Sequence, residues 1–156
     1  MTPDGLERYL FEHIPLSRAL GLRVAAASHD AVELEAPLEP NLNHQRTAFG
    51  GSLSAVAILA AWSWLRMRLG DAVAGGSIVI QSNSMEYLAP VTTSFRAVCR
   101  APGAERWAAF ERTMQRRSRA RIELDAEILA GPELAAQFRG QFVAFTAASP
   151  SFPGPT

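Results

Sequence analysis

The sequence predicts an α+β domain in which a curved antiparallel β-sheet wraps around one long central helix. Residues 47–65 contain no charged side chain, and only burial on most sides explains a helix of that composition. Segments before and after this helix alternate apolar and polar residues as strands do. The later strands are too close in sequence for repeated βαβ crossovers, so the sheet is expected to be antiparallel.

The N-terminal residues 1–21 are predicted to form a helical segment. Residues 4–13 repeat apolar side chains at helical spacing, and a second short turn ends at Gly21. Two strands follow over Leu22–Ala27 and Val32–Leu38, separated by the turn sequence SHD.

The central helix is predicted from Gly50 to Leu69, because Gly70 ends it. The remaining predicted elements are strands over Ser77–Leu88, 93–101, 120–130 and 137–147 and a short helix over 103–117. One domain is therefore expected over residues 1–147. Residues 148–156 are rich in proline and are expected to be a disordered tail.

The composition excludes several classes of function. The formal net charge is zero, which argues against a nucleic-acid-binding protein. The chain has no lysine, which excludes Schiff-base chemistry, and its one cysteine, Cys99, excludes an internal disulfide. His13, His29 and His44 lack metal-ligand spacing, so no metal is predicted.

The location is predicted from two segments. The N-terminus does not resemble a signal peptide, so a cytoplasmic protein is expected. Residues 47–65 are long enough to span a bilayer. They open with Gly-Gly-Ser and are rich in alanine rather than leucine, which favours the buried centre of a globular fold over a membrane span.

Two motifs resemble a known family. The segment PNLNHQRTAFGGSL contains the pattern N-x-N-x-x-x-T-x-F-G-G-S, and a later strand ends in EYLAP. Both resemble hotdog-fold proteins, most of all the thioesterase-like family typified by the C-terminal domain of YiiD, over Leu16–Phe145. The resemblance implies a hotdog fold, a homodimer or dimer of dimers, and active sites at the subunit interface. It implies acyl thioesters of coenzyme A or of acyl carrier protein as substrates, with no separate cofactor.

The start of the central helix is the candidate site. The first amides of a helix are unpaired and carry a partial positive charge, and Gly50 and Gly51 would leave them accessible to a thioester carbonyl. With the motif positions, this predicts three catalytic candidates, Asn43, Ser84 and His44. The predicted substrate-binding residues are Thr47, Phe49, Gly50, Gly51, Ser52, Asn83, Arg116, Arg117 and Arg119.

Plainer interpretations of the same residues stay open. Gly50-Gly51-Ser52 is also an ordinary helix start, His44 an ordinary solvated loop residue, and the arginines an ordinary solvated face. The functional interpretation of Arg116, Arg117 and Arg119 is contact with coenzyme A phosphates or an acidic carrier protein. GGSLS lacks the last glycine of a nucleophile elbow, which argues against a serine hydrolase.

The predicted helix lacks an acidic residue that many hotdog enzymes carry. No Asp or Glu occurs in residues 47–65, which argues against a dehydratase and against a carboxylate nucleophile. Thioester hydrolysis therefore ranks only slightly ahead of malonyl-thioester decarboxylation, which needs no base. A non-catalytic module that binds acyl thioesters is the third hypothesis.

Overall fold

A six-stranded antiparallel sheet curves around the helix α3 (Gly50–Leu69) in the computed structural model, which describes residues 1–147. This confirms the predicted hotdog fold. The prediction for residues 148–156 lies outside the described residues. The other helices and strands are α1 (Pro3–His13), α2 (Leu16–Ala19), β1 (Arg23–Ala27), β2 (Ala31–Ala36), β3 (Ser77–Tyr87), β4 (Phe95–Arg100), α4 (Ala104–Arg117), β5 (Arg119–Ala130) and β6 (Glu133–Phe145).

The helix α3 supplies the centre of the core and has the predicted bounds. It begins after Phe49, whose backbone is extended, and ends at Gly70, which has a φ of 47°. Trp64, Leu65 and Val56 are almost fully buried against the sheet, and burying a side chain of this size stabilises a fold by about 1.5–3 kcal/mol. Burial on most of its surface thus explains its lack of charge over the first four turns.

The two edges of the sheet differ in how they are covered. The strand order is β1-β2-β4-β5-β6-β3, so β1 and β3 are the edge strands. The edge of β1 faces α1, where a carboxylate oxygen of Glu7 accepts a 2.8 Å hydrogen bond from the amide of Val24. Within residues 1–147, β3 pairs with β6 alone. Its eleven residues therefore present an open edge.

The helix α4 fills the space beside β5 that β4 does not reach. β4 pairs with β5 only from Cys99–Ala126 to Arg96–Leu129. The predicted apolar stripe of α4, Trp107, Phe110 and Met114, is buried, and Trp107 lies edge-on to Trp64 of α3 with 5.4 Å between ring centroids. This contact positions α4 against the C-terminal half of α3.

A β-bulge changes which side chains of β3 face the helix. Ile78 and Ile80 lie opposite the inward residues Ala144 and Phe142 of β6, but the register shifts between Ile80 and Ser82. After the shift, Asn83, Met85 and Tyr87 face inward, while Ser82 and Ser84 face outward. One extra residue reverses the alternation along the rest of a strand.

The helices of residues 1–147 were also compared with what a bilayer requires, and none combines the length and the apolar character of a membrane span.

Candidate functional site at the start of the central helix

A short, tightly bonded loop precedes α3. The amide of Asn43 donates to the carbonyl of Thr47 at 2.8 Å, and a bridge joins Leu42 to Ala48. The Oδ1 atom of Asn43 accepts from the amides of Gln45 and Thr47 at 2.9 and 3.1 Å, and its Nδ2 donates to Oγ1 of Thr47 at 2.8 Å. The side chain of Asn43 therefore holds the loop closed and keeps one amide proton unused.

Asn41 anchors this loop to the rest of the fold. Its side chain is 2% exposed, and its Nδ2 donates to the carbonyls of Leu20 and Pro37 at 2.9 and 2.7 Å. Its own carbonyl accepts a 2.7 Å bond from the amide of Phe49. Asn41 thus fixes the position of the residue from which α3 begins.

The first turn of α3 leaves two amides available to a ligand. The amides of Ser52 and Leu53 both donate to the carbonyl of Phe49, at 2.9 and 3.2 Å. Phe49 caps the helix without a side-chain hydrogen bond. The amides of Gly50 and Gly51 have no acceptor among the described residues, as expected of the first helical positions. They form a pair of donors at the positive end of a 20-residue helix.

Tyr87 fixes the peptide group that carries one of these amides. Its hydroxyl donates a 3.0 Å hydrogen bond to the carbonyl oxygen of Gly50. That carbonyl belongs to the same peptide unit as the amide of Gly51. A hydrogen bond to the carbonyl polarises the unit and makes its N–H a better donor. Tyr87 therefore acts on the site through Gly51.

The glycines are required by two aromatic rings that lie against them. A Cβ on Gly50 would be 3.3 Å from the ring of Tyr87, and any side chain on Gly51 would overlap the ring of Phe49. Phe49, Tyr87 and Leu88 are each about half exposed. The amides are therefore bordered by an apolar surface of these three residues, which suits a ligand with a hydrocarbon part.

No carboxylate of α3 lies at these amides, because the helix contains no Asp or Glu. Glu86 adjoins Tyr87 in sequence but pairs with Gln137 on the outer face of the sheet. Among residues 1–147, no cluster of three or more His, Cys, Asp or Glu side chains could hold a metal ion. The chemistry of the site thus rests on backbone amides, hydroxyls, side-chain amides and one imidazole.

The predicted catalytic residues are not brought together. Asn43 and His44 lie in the loop, and the exposed imidazole of His44 has no hydrogen bond within the described part of the chain. Ser84 lies on the outer face beside Arg139, so the sheet separates it from the helix. This placement removes Ser84 from the groups that could contact a thioester at Gly51, and the β-bulge is the physical reason.

The predicted substrate-binding residues divide into two groups. Thr47, Phe49, Gly50, Gly51 and Ser52 surround the start of α3, and Ser52 is largely buried. Asn83 faces the same side of the sheet as Tyr87. The arginines Arg116, Arg117 and Arg119 do not share this end of the molecule.

The three arginines lie at the far end of the sheet. Arg119 pairs with Phe145, and Phe145 also pairs with Ser77, the first residue of β3. Tyr87, at the last residue of β3, marks the other end, about 33 Å away at strand spacing. All three arginines are exposed, and none forms a salt bridge with another described residue. Arg119 lies over the ring of Phe145 at 5.5 Å.

Two residues of the site were absent from the predicted set, although the sequence contained a signal for each. Tyr87 is the tyrosine of EYLAP, and its position at a strand end opposite the helix start is what the motif encodes. Asn41 is the first asparagine of N-x-N, and a buried amide in a loop is typical of a residue that joins separate backbone segments.

Comparison with known proteins agrees with the geometry. Residues 4–146 match the sequence family described as "Putative thioesterase (yiiD_Cterm)". A Chlorobaculum tepidum protein of unknown function, OLEI01261, is 34% identical, with a TM-score of 0.83 over 93% of this chain and 97% of that one.

Two further solved structures carry thioesterase names. A "putative thioesterase" from Shewanella oneidensis is 26% identical, with a TM-score of 0.77 over 92% of this chain and 96% of that one. Thioesterase HI1161 from Haemophilus influenzae is 16% identical, with a TM-score of 0.75 over 96% of this chain and 94% of that one. At that identity the likeness is one of fold alone.

Proposed function

The chain belongs to the family described as "Putative thioesterase (yiiD_Cterm)", and on that premise we propose that it hydrolyses acyl thioesters at the start of α3. The substrate class is an acyl group on coenzyme A or on acyl carrier protein. No further cofactor enters the reaction. The chemical step is attack of water on the thioester carbonyl, which releases a carboxylic acid and a free thiol.

The observation that carries this proposal is the pair of unbonded amides of Gly50 and Gly51. As water attacks, the carbonyl oxygen gains negative charge, and donors already aimed at that oxygen stabilise the transition state more than the substrate. Removal of one such donor typically costs about 2.7–4 kcal/mol. The apolar surface of Phe49, Tyr87 and Leu88 favours binding of the acyl chain beside these donors.

Activation of the water is assigned to the loop in front of the helix. The imidazole of His44 is exposed and unbonded within residues 1–147, so it is free to accept a proton. Asn43 keeps the loop closed and has one amide proton left to hold the water or the substrate. In this scheme Asn43 is a positioning residue, and its remaining proton is its only direct contribution.

Decarboxylation of a malonyl thioester is the second candidate, and the absence of acid from α3 favours it. The bond between the carboxylate and the α-carbon breaks, carbon dioxide leaves, and its electron pair forms an enolate. The Gly50 and Gly51 amides would stabilise the enolate oxygen, and a proton from water would give the acetyl thioester. No base is required. Binding of acyl thioesters without turnover is the remaining hypothesis.

We propose a two-fold dimer built on the open edge of β3, with a dimer of dimers as the larger alternative. Antiparallel pairing of β3 with its copy would pair the exposed backbone groups of both edges. It would also bring the Ser77 end of one copy beside the Tyr87 end of the other. The arginine cluster of one subunit would then approach the helix start of its partner. A monomer in sedimentation velocity at micromolar concentration would contradict this arrangement.

The test of function is turnover of a panel of acyl and malonyl thioesters on both carriers. Release of free thiol supports hydrolysis, whereas carbon dioxide with an intact acetyl thioester supports decarboxylation. Binding without either product supports the non-catalytic module. If neither binding nor turnover is measured for any thioester, the proposed substrate class is wrong.

A glycine variant connects that activity to the helix start. Gly51→Ala places a methyl group against the ring of Phe49 and should lower kcat/KM by about a hundredfold, the cost of one lost donor. Gly103→Ala is the matched control. Gly103 also precedes a helix, has no neighbour within 4 Å of an added Cβ and lies outside the site. Equal activity of the two variants would exclude the Gly51 amide from the reaction.

A further inference from the structure

A second recess lies at the other end of α3, far from the proposed active site. It is bounded by the end of α3, by α4 and by Thr146, and its volume is about 240 Å³. Arg68, which lines it, is 18 residues after Gly50, or about 27 Å along the helix axis. A ligand at the Gly50 and Gly51 amides would therefore not contact this recess in the same subunit.

Three buried polar atoms without a hydrogen-bond partner converge on this recess. Within residues 1–147 there are five such side-chain atoms, and Nε of Arg68, Nε1 of Trp107 and Oγ1 of Thr146 are three of them. Trp107 is only 9% exposed. A buried donor left unpaired costs about 1–3 kcal/mol. Three such groups from three separate elements mark a place prepared for a polar partner.

The chemistry of the three groups specifies that partner. Guanidinium and indole nitrogens donate and cannot accept, and a threonine hydroxyl can do either. The guanidinium of Arg68 lies 4.6 Å above the ring of Trp107, which holds its charge at the wall. Arg68 forms no salt bridge with another described residue. The matching head group is therefore an anionic acceptor.

The walls of the recess restrict the rest of the ligand. Leu69, Ala72, Phe110 and Met114 line it with apolar surface. The carboxylate of Glu111 and the amide of Gln115 are the other polar groups that line it. Glu111 repels a multiply charged anion, so a single negative charge fits best. At about 30 Å³ for each water-sized unit, the volume holds roughly eight non-hydrogen atoms.

We propose that this recess binds a small monocarboxylate with an apolar body, of about the size of hexanoate. The carboxylate accepts hydrogen bonds from Arg68, Trp107 and Thr146, and the chain lies against Leu69, Phe110 and Met114. The site is separate from the one at Gly50 and Gly51. Its occupation does not depend on thioester hydrolysis, so either proposal can fail without the other.

Fluorine NMR of the full chain labelled with 5-fluorotryptophan tests this directly. The chain has three tryptophans, and Trp107→Phe identifies the resonance of Trp107. Hexanoate should shift that resonance saturably. In Arg68→Met the half-saturating concentration should rise at least about tenfold, because a charge-assisted hydrogen bond is lost. The control Arg117→Met removes an exposed arginine of α4 and should leave the titration unchanged.

Two comparisons complete the test. Hexanol, which has the same chain without the charge, should bind at least about tenfold more weakly than hexanoate. Arg68→Lys keeps the charge but loses the planar Nε donor and should fall between wild type and Arg68→Met, which covers the case of a poorly folded methionine variant. No response of Trp107 to hexanoate, or an equal response in Arg68→Met or to hexanol, would overturn the proposal and leave the three atoms to water.

Discussion

The hydroxyl of Tyr87 donates a 3.0 Å hydrogen bond to the carbonyl oxygen of Gly50 and thereby joins the end of β3 to the first residue of α3. The edge strand and the central helix are far apart in sequence, yet this bond connects them where the helix amides are free. Because β3 is also the proposed dimer edge, the bond would couple subunit pairing to the geometry of the site.

Loss of this hydroxyl should reduce activity without unfolding the protein. Tyr87→Phe keeps the ring against Gly50 but removes the bond to its carbonyl, so the Gly51 amide becomes a weaker and less well oriented donor. A bond of this kind contributes about 0.5–1.5 kcal/mol, so kcat/KM should fall roughly two- to tenfold. Thr93→Val, which removes an exposed hydroxyl bonded only to the carbonyl of Ser94, is the control. Unchanged kcat/KM in Tyr87→Phe would mean that the hydroxyl only packs the strand end.

Asn43 variants distinguish loop positioning from direct contact with the substrate. Asn43→Ala loses three side-chain hydrogen bonds within the loop, and turnover should fall on the order of a hundredfold while the fold persists. Asn43→Asp keeps the acceptor for the amides of Gln45 and Thr47 and can accept from the hydroxyl of Thr47. If Asn43 acts by positioning, the aspartate variant should recover most of the activity. An aspartate variant as inactive as the alanine variant would show that the remaining amide proton contacts the substrate.

Predictability from sequence differed between elements for physical reasons. The bounds of α3 were predictable because a charge-free segment between a glycine pair and Gly70 has few alternatives. The face on which Ser84 lies was not, because it depends on a β-bulge between Ile80 and Ser82 that alternation does not reveal. The bonds of Asn43 were also hidden, since an amide can serve its own loop or a ligand with the same sequence. Proximity in sequence to a helix likewise gave no measure of the distance from Arg119 to Gly50.

The arginine cluster should govern capture of phosphate-bearing substrates rather than chemistry. Replacement of Arg116, Arg117 and Arg119 by glutamine should raise KM for acyl-coenzyme A several-fold and flatten its salt dependence, with little change in kcat. A truncated thioester without phosphates is the control, and its KM should be the same for both proteins. An unchanged KM for acyl-coenzyme A at all salt concentrations would identify these residues as a solvated face.

Cys99 should resist ionisation in the folded protein. Burial raises the pKa of its thiol from 9.0 to about 12, the charge of Asp125 adds to the effect, and Arg100 opposes it. The folded pKa lies above the unfolded one, so this contribution to stability is complete below pH 9 and is lost as pH rises toward 12. The free energy of unfolding should therefore fall more steeply over that window in wild type than in Cys99→Ala. Equal slopes, or rapid thiol modification of the folded protein at pH 8, would contradict the burial.

The most direct measurement of the central claim is NMR of the eleven glycine amides in protein labelled with ¹⁵N-glycine. The ligand is an acyl-coenzyme A analogue in which a methylene group replaces the thioester sulfur, so the carbonyl remains but cannot be hydrolysed. If the carbonyl binds at the start of α3, the Gly50 and Gly51 amide protons should shift downfield on saturation, and Gly103, at the start of α4, should not move. Calorimetric binding of the analogue without a shift at Gly50 and Gly51 would contradict the account.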